Sequence, residues 1–171
     1  FVQGCTFRCP YCHNPELVCP ELFEDPIPEQ EIFDFLKSRI GKLDAITITG
    51  GEPTIYPELP EFIKKIREMG FLIKLDSNGS NPELLSKIIN EKLVDYIAMD
   101  IKSPLDKYKD IAFYDDIEKI KKSIDLIMSS GIPYEFRTTV INSLLSVEDI
   151  LKIGEMIKGA RLYALQKFRK T

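Results

Sequence analysis

No apolar run in the 171 residues approaches the roughly 20 that a membrane-spanning helix needs, and no lysine-led signal segment precedes the first cysteine. Excess positive charge is lacking too. The 23 Lys and Arg against 27 Asp and Glu leave a formal charge of -4, so no global basic field draws the chain to nucleic acid or to an anionic membrane. The short basic ending "QKFRKT" reads as a solvated terminus. There is one histidine, and the four cysteines fall far below the density of a secreted scaffold stapled by disulfides. Internal repeats, low-complexity segments and linkers are missing as well. The expectation is a soluble, cytoplasmic protein of one domain, residues 1–171, whose 44% hydrophobic residues suffice for a real core.

What is present is a regular alternation. "AITITGG" (45–51), "FLIKLDSNG" (71–79) and "LVDYIAMDIK" (93–102) are β-rich runs that end in glycine or polar residues. Helical patterns precede each of them, with apolar residues such as Leu59, Phe62, Ile63 and Ile66 recurring three and four apart. Ser80 or Asn81 before Pro82 offers a helix start, and Gly70 a helix stop. The alternation continues through a helix over 117–129, a strand "YEFRTTVI", a helix "SVEDILKIGEMIK" and a last short strand "RLYALQ". Strands alternating with helices of this length predict a parallel sheet with right-handed crossovers, and in such folds chemistry sits at the carboxyl ends of the strands. Those ends carry "GGEP", "DSNG", "MDIK" and Arg137.

Three of the four cysteines, Cys5, Cys9 and Cys12, are crowded into one short stretch, with Cys19 set apart. A closed zinc site takes four ligands and a disulfide two. Thiolates are also the ligands of iron-sulfur clusters, and a cubane cluster normally takes four, so three would leave one iron open. A zinc knuckle or three buried thiols are the competing readings.

"CTFRCPYC" followed by "GGEP" at the next strand end resembles the radical S-adenosylmethionine superfamily. "GCTFRCPYCHNPE", "GGEPT", "KLDSNGSNP" and "DYIAMDIK" together look like its glycyl-radical-enzyme activating branch, the proteins that activate anaerobic ribonucleoside-triphosphate reductase or pyruvate formate-lyase. The resemblance implies a partial, open (β/α)6 barrel of six strands with helices outside. Only four residues precede Cys5, so either the sequence is a trimmed piece or the first strand is very short. The resemblance further implies a 4Fe-4S cluster on Cys5, Cys9 and Cys12, whose open iron binds S-adenosylmethionine and whose electron cleaves it to a 5'-deoxyadenosyl radical. A monovalent cation, a glycyl-radical enzyme as substrate and a flavodoxin- or ferredoxin-type electron donor belong to the same expectation. A radical enzyme acting on a small molecule or nucleotide precursor, and a non-catalytic metal-binding module, are the alternatives.

The resemblance assigns further residues, each with a plainer reading beside it. Tyr11 would contact adenine through its main chain, or its ring simply packs. Gly50 and Gly51 would let backbone approach the methionyl amino group, or merely turn the chain. Glu52 would accept a hydrogen bond from that ammonium, or hold its loop. Ser77 and Asn78 would bind cofactor, or the stretch from Asp76 to Asn78 forms a tight turn. Asp100 and Lys102 share one face of a strand by the period of two. There the lysine would meet the cofactor carboxylate, while Asp76 and Asp100 hold the cation. Arg137 would approach the same carboxylate, or form an exposed salt bridge. His13 reads as a donor that shapes the cysteine loop, Cys19 as non-ligating, and Gln166 and Phe168 as contacts for adenine or ribose. No cysteine follows Cys19, so ligands for auxiliary clusters are not expected.

Overall fold

A computed structural model describes residues 1–169; the last two residues of the basic ending lie outside the described residues. Five parallel strands, β1 (Ala45–Ile48), β2 (Leu72–Ser77), β3 (Tyr96–Asp100), β4 (Tyr134–Val140) and β5 (Tyr163–Lys167), stand side by side in chain order. Helices α1 (Glu29–Lys37), α2 (Leu59–Glu68), α3 (Pro82–Asn90), α4 (Tyr108–Ala112), α5 (Ile117–Ser129) and α6 (Val147–Met156) alternate with them. The sheet is open, since β1 and β5 are not paired.

The helices form where their apolar spacing meets a capping residue. In α2, Leu59, Ile63 and Ile66 fall on one buried face, and Gly70, at φ +91°, turns the chain out of the helix. Asn81 caps α3 by accepting from Leu84 N at 3.1 Å, with Pro82 in the first turn. A reciprocal Ser146–Asp149 pair caps α6.

Strands β2 and β4 divide their faces by alternation, and β3 is buried at three successive residues, Ile97 to Met99. Ile73, Leu75, Ile97, Met99, Tyr134 and Phe136 are buried and belong to one core with Leu85, Ile88, Ile124 and Ile127 of the helices. Each such aliphatic chain contributes about 1.5–3 kcal/mol by leaving water. On the intervening positions stand Lys74, Asp76, Asp100, Glu135 and Arg137, all half-buried. The concave face of the sheet is therefore charged, while the face under the helices is apolar.

Two expectations need correction. Six strands were expected and five form among the described residues, with the sixth place held by a single parallel bridge from Val2 to Gly50. The reason is local: Gly4, at φ +85°, turns the chain away into the cysteine loop two residues after Val2. Helix α4 was not foreseen, because five residues are too few to show a period. It ends at Phe113 in the left-handed region, φ 53°.

Candidate functional site

The cysteine loop is hung on the end of β1. Val2 N donates to Thr49 O, Gly51 N to Val2 O and Glu52 N to Gly4 O, each at 2.8 Å. This approach requires glycine: a Cβ on Gly51 would lie 2.0 Å from Gly4 O, and one on Gly50 2.2 Å from Val2 N. The glycine pair thus does more than turn the chain. It admits the segment that delivers Cys5.

From there the loop is clamped on two further sides. Arg8 N donates to Ala112 O of α4 at 2.9 Å. Phe7, 2% exposed, packs against the rings of Tyr108 and Tyr114. Thr6 Oγ1 lies 2.7 Å from Ser80 Oγ and accepts from Asn78 Nδ2 at 3.0 Å. Burial pushes the thiols of Cys5 and Cys9 up from their ordinary range.

Glu52, 1% exposed, joins the ends of β1 and β2. Its Oε1 accepts from Thr54 N at 3.0 Å, Thr54 Oγ1 at 2.6 Å and Ser77 Oγ at 2.9 Å, and its Oε2 accepts from Asn78 N at 2.5 Å. Burial raises the carboxyl's pKa while these four donors oppose the rise. Of its two sequence readings, holding the loop is the one this geometry displays. The β2 end also carries turn chemistry, with Gly79 N donating to Ser77 Oγ at 3.0 Å and Ser80 N to Asn78 Oδ1 at 2.9 Å.

On the concave face three acids meet three bases. Arg137 donates from Nε to Asp100 Oδ1 at 2.8 Å and from Nη1 to Asp76 Oδ2 at 3.3 Å. Register explains the reach: Arg137 pairs with Asp100 across β3–β4, while Asp76 stands opposite the small Ala98. Lys102 Nζ sits 3.0 Å from Asp100 Oδ2. Lys74 Nζ lies 3.4 Å from Asp76 Oδ1 and 3.6 Å from Glu135 Oε1. Asp76 Oδ1 is buried and takes no hydrogen bond, so the Lys74 contact is Coulombic and not aligned for donation. Burial works against ionised Asp100, but the charges of Lys102 and Arg137 prevail and hold its carboxyl below the ordinary range. Burial likewise opposes the Lys102 charge and is overcome by Asp100, so its pKa is raised. Arg137 is not the exposed salt bridge that the sequence left open, since its side chain is only 15% exposed and bridges two strands.

The cysteine loop, the β1 and β2 ends and the Asp76–Asp100–Lys102–Arg137 part of the network open on one cavity of about 250 Å³ at the carboxyl ends of the strands. Cys5, Cys9, Tyr11, Cys12, Gly50, Gly51, Glu52, Asp76, Ser77, Asn78, Asp100, Lys102 and Arg137 all line it, together with His13, Thr139 and Gln166. His13 Nε2 donates to Arg169 O at 2.8 Å and its ring lies 4.9 Å from that of Phe168, so it ties the cysteine loop to the chain beyond β5. Phe168 supports His13 without lining the cavity, and Cys19 stays outside it at the start of a short 3-10 helix. The sequence reading passed over Lys74 and Glu135, although each stands two residues before a chosen charge on the same strand face. Thr6 and Tyr108, whose hydroxyl accepts from Lys102 N at 3.2 Å, carried no sequence signal, and Ser80 was read only as a candidate helix start, a role that Asn81 fills.

Residues 1–160 match the Radical SAM superfamily. The chain belongs to that superfamily. A protein of Methanocaldococcus jannaschii, described provisionally as a glycyl-radical enzyme activating enzyme, is 38% identical over 98% of this chain and 71% of its own length. The pyruvate formate-lyase-activating enzyme of Clostridium pasteurianum is 31% identical over 94% of this chain and 69% of its own. A GTP 3',8-cyclase of Alkaliphilus oremlandii is 28% identical over 87% of this chain and 49% of its own. Among solved structures, Streptococcus suis SuiB bound to S-adenosylmethionine superposes with a TM-score of 0.78 at 13% identity, over 99% of this chain and 40% of that one. At that identity the likeness concerns the fold.

This radical SAM protein is therefore an enzyme of a family whose cofactors are a 4Fe-4S cluster and S-adenosylmethionine. The donor set fits the cluster. Three thiols from one loop face the cavity. Among the described residues, no group of three or more His, Cys, Asp or Glu converges as ligands to a single ion must. No helix among the described residues is long and apolar enough to cross a membrane.

Proposed function

We propose that this radical SAM enzyme cleaves S-adenosylmethionine reductively and uses the product to make a glycyl radical on a partner protein. The observation that carries the reading is the convergence of three cysteines, a glycine-rich strand end and the Asp100–Lys102–Arg137 network on one cavity. When bound, the cluster and S-adenosylmethionine would supply the one-electron, hydrogen-abstracting chemistry that the reaction at a glycine Cα requires. The chain's own residues bind and orient. Cys5, Cys9 and Cys12 would ligate the cluster; Tyr11, Gly50, Gly51, Ser77 and Gln166 would border S-adenosylmethionine. Lys102 and Arg137 would meet its carboxylate, a match of charge-assisted donors to an anion.

That carboxylate brings a fourth negative charge to a network of Asp76, Asp100 and Glu135 balanced by Lys74, Lys102 and Arg137. A monovalent cation at Asp76 and Asp100 would restore the balance, and the unbonded Asp76 Oδ1 is the acceptor open to it. In this reading residues 1–171 form one core domain in a reducing, cytoplasmic setting, served by a flavodoxin- or ferredoxin-type donor. The unpaired sides of β1 and β5 leave the barrel open for a protein loop. The likeness to a GTP 3',8-cyclase favours a second reading, in which the radical acts on a nucleotide.

The test is anaerobic incubation of the reconstituted protein with S-adenosylmethionine and dithionite. 5'-Deoxyadenosine is the expected product, and its absence overturns the proposal. A glycyl-radical protein that gains a radical EPR signal selects the first reading over the second.

A further inference from the structure

Asn78 has no freedom to choose its partners. Its backbone N–H is held by Glu52 Oε2 at 2.5 Å, and its side-chain oxygen accepts from Ser80 N at 2.9 Å. A backbone amide nitrogen can only donate, so the end of Asn78 facing Ser80 must be the oxygen and the NH2 must face the other way. On that side lie Thr6 Oγ1 at 3.0 Å and Cys5 Sγ at 3.6 Å. Both side-chain N–H bonds are thereby taken up, and at 5% exposure the amide is not available to reorient. Cys5 Sγ accepts a second N–H from Phe7 at 3.4 Å.

We propose that Asn78 is a positioning residue for the cluster, which it tunes through an N–H···S bond to Cys5, and that it makes no contact with S-adenosylmethionine. The inference rests on the reading of Cys5 as a cluster ligand. One-electron reduction adds negative charge that is shared with the ligating sulfurs, so a donor aimed at Cys5 stabilises the reduced state more than the oxidised one. Asn78 therefore raises the reduction potential, which makes the electron easier for a biological donor to deliver. The sequence already places Asn78 directly after the β2 end. Only the fold brings Cys5, 73 residues away, against its amide.

The experiment is an EPR-monitored redox titration of the anaerobically reconstituted protein without S-adenosylmethionine. Asn78→Leu is expected to keep its cluster and to show about a tenfold lower reduced-to-oxidised ratio at a given poise, equivalent to ~59 mV for a one-electron couple. Asn78→Asp preserves the oxygen that accepts from Ser80 N, and the Thr6 hydroxyl can turn to donate to the new oxygen. Cys5 then keeps the Phe7 N–H but loses the Asn78 donor and faces an anion, so the potential falls at least as far. This variant decides the matter if Asn78→Leu does not fold. Thr6→Val loosens the same loop but leaves the Cys5 contact, and its ratio should stay within about twofold of wild type.

Unchanged potentials in Asn78→Leu and Asn78→Asp overturn the inference and leave the ligand reading intact. An equal fall in Thr6→Val also overturns it, because loop position and not the bond would then set the potential. Tenfold weaker S-adenosylmethionine binding by oxidised Asn78→Asp returns the residue to the cofactor contacts and overturns the second half of the proposal. A wild-type protein that cannot be reconstituted with a cluster overturns the inference and the ligand reading together.

Discussion

Lys102 Nζ and Asp100 Oδ2 face each other across 3.0 Å at the mouth of the sheet, both side chains largely covered. The pair is not closed on itself. Asp100 has a second cation, Arg137, on its other oxygen at 2.8 Å. Loss of the lysine therefore leaves no buried carboxylate unpaired, and fold and cofactor binding can be separated by mutation.

Lys102→Ala should weaken S-adenosylmethionine binding to the reconstituted protein roughly 10-fold to 150-fold. This follows from about 1.5–3 kcal/mol for a charge-assisted contact at 1.4 kcal/mol per decade. Cluster content should persist, because the cysteine loop is held by Ala112, Ser80 and Gly51 and not by Lys102. Binding titration and thermal melting of the same variant check this. An unaltered affinity beside a lower melting temperature would mark a purely structural pair.

The cysteines divide three to one. Cys5→Ala, Cys9→Ala and Cys12→Ala should each lose iron and visible absorbance after reconstitution, whereas Cys19→Ala, whose side chain lies outside the cavity, should retain both. Iron and sulfide analysis decides it, and cluster loss confined to Cys19→Ala would reverse the assignment.

Glycines at two places should respond oppositely to alanine. At Gly51 the new methyl would sit 2.0 Å from Gly4 O and 2.9 Å from Leu17 O, both main-chain atoms that cannot step aside. Gly51→Ala is expected to cost on the order of 3 kcal/mol and to displace the cysteine loop. Gly154 lies inside α6, and a methyl group added there would meet nothing within 4 Å, so Gly154→Ala should stabilise by about 0.5–1 kcal/mol. Urea unfolding of the two variants supplies the comparison.

Asp149 gives the fold an acid-sensitive element. Lys107 Nζ at 2.6 Å, and behind it the Ser146 backbone N–H at 2.9 Å, pull its pKa down to about 2. The folded carboxyl thus holds its proton less tightly than the unfolded one. Its contribution is complete above the ordinary carboxylate value of about 3.9 and is lost as pH falls toward about 2. The stability gap between wild type and Asp149→Asn should be constant from about pH 7 to about pH 5 and shrink below about pH 4. A gap that holds steady throughout would show that the Lys107 contact does not stabilise the fold.

The sequence alone determined the elements and their ends. Apolar residues at spacings of two and of three to four report which face of each strand or helix is buried, and that local property placed β1 to β5 and all helices but α4. It also brought "GGEP", "DSNG", "MDIK" and Arg137 to one rim, because parallel strands joined by helices must all point the same way. Partners across the rim were beyond its reach. Whether Arg137 meets solvent, a cofactor or Asp76 depends on register across three strands, which pairs Asp100 with Arg137 and sets Ala98 opposite Asp76. Glu52 as a hub for four donors, and Asn78 turned by Ser80 N toward Cys5, are contacts between loops far apart in the chain. A hydrogen bond depends on atomic positions that no residue carries in its own identity, so only the folded arrangement of β1, β2 and the cysteine loop could decide them.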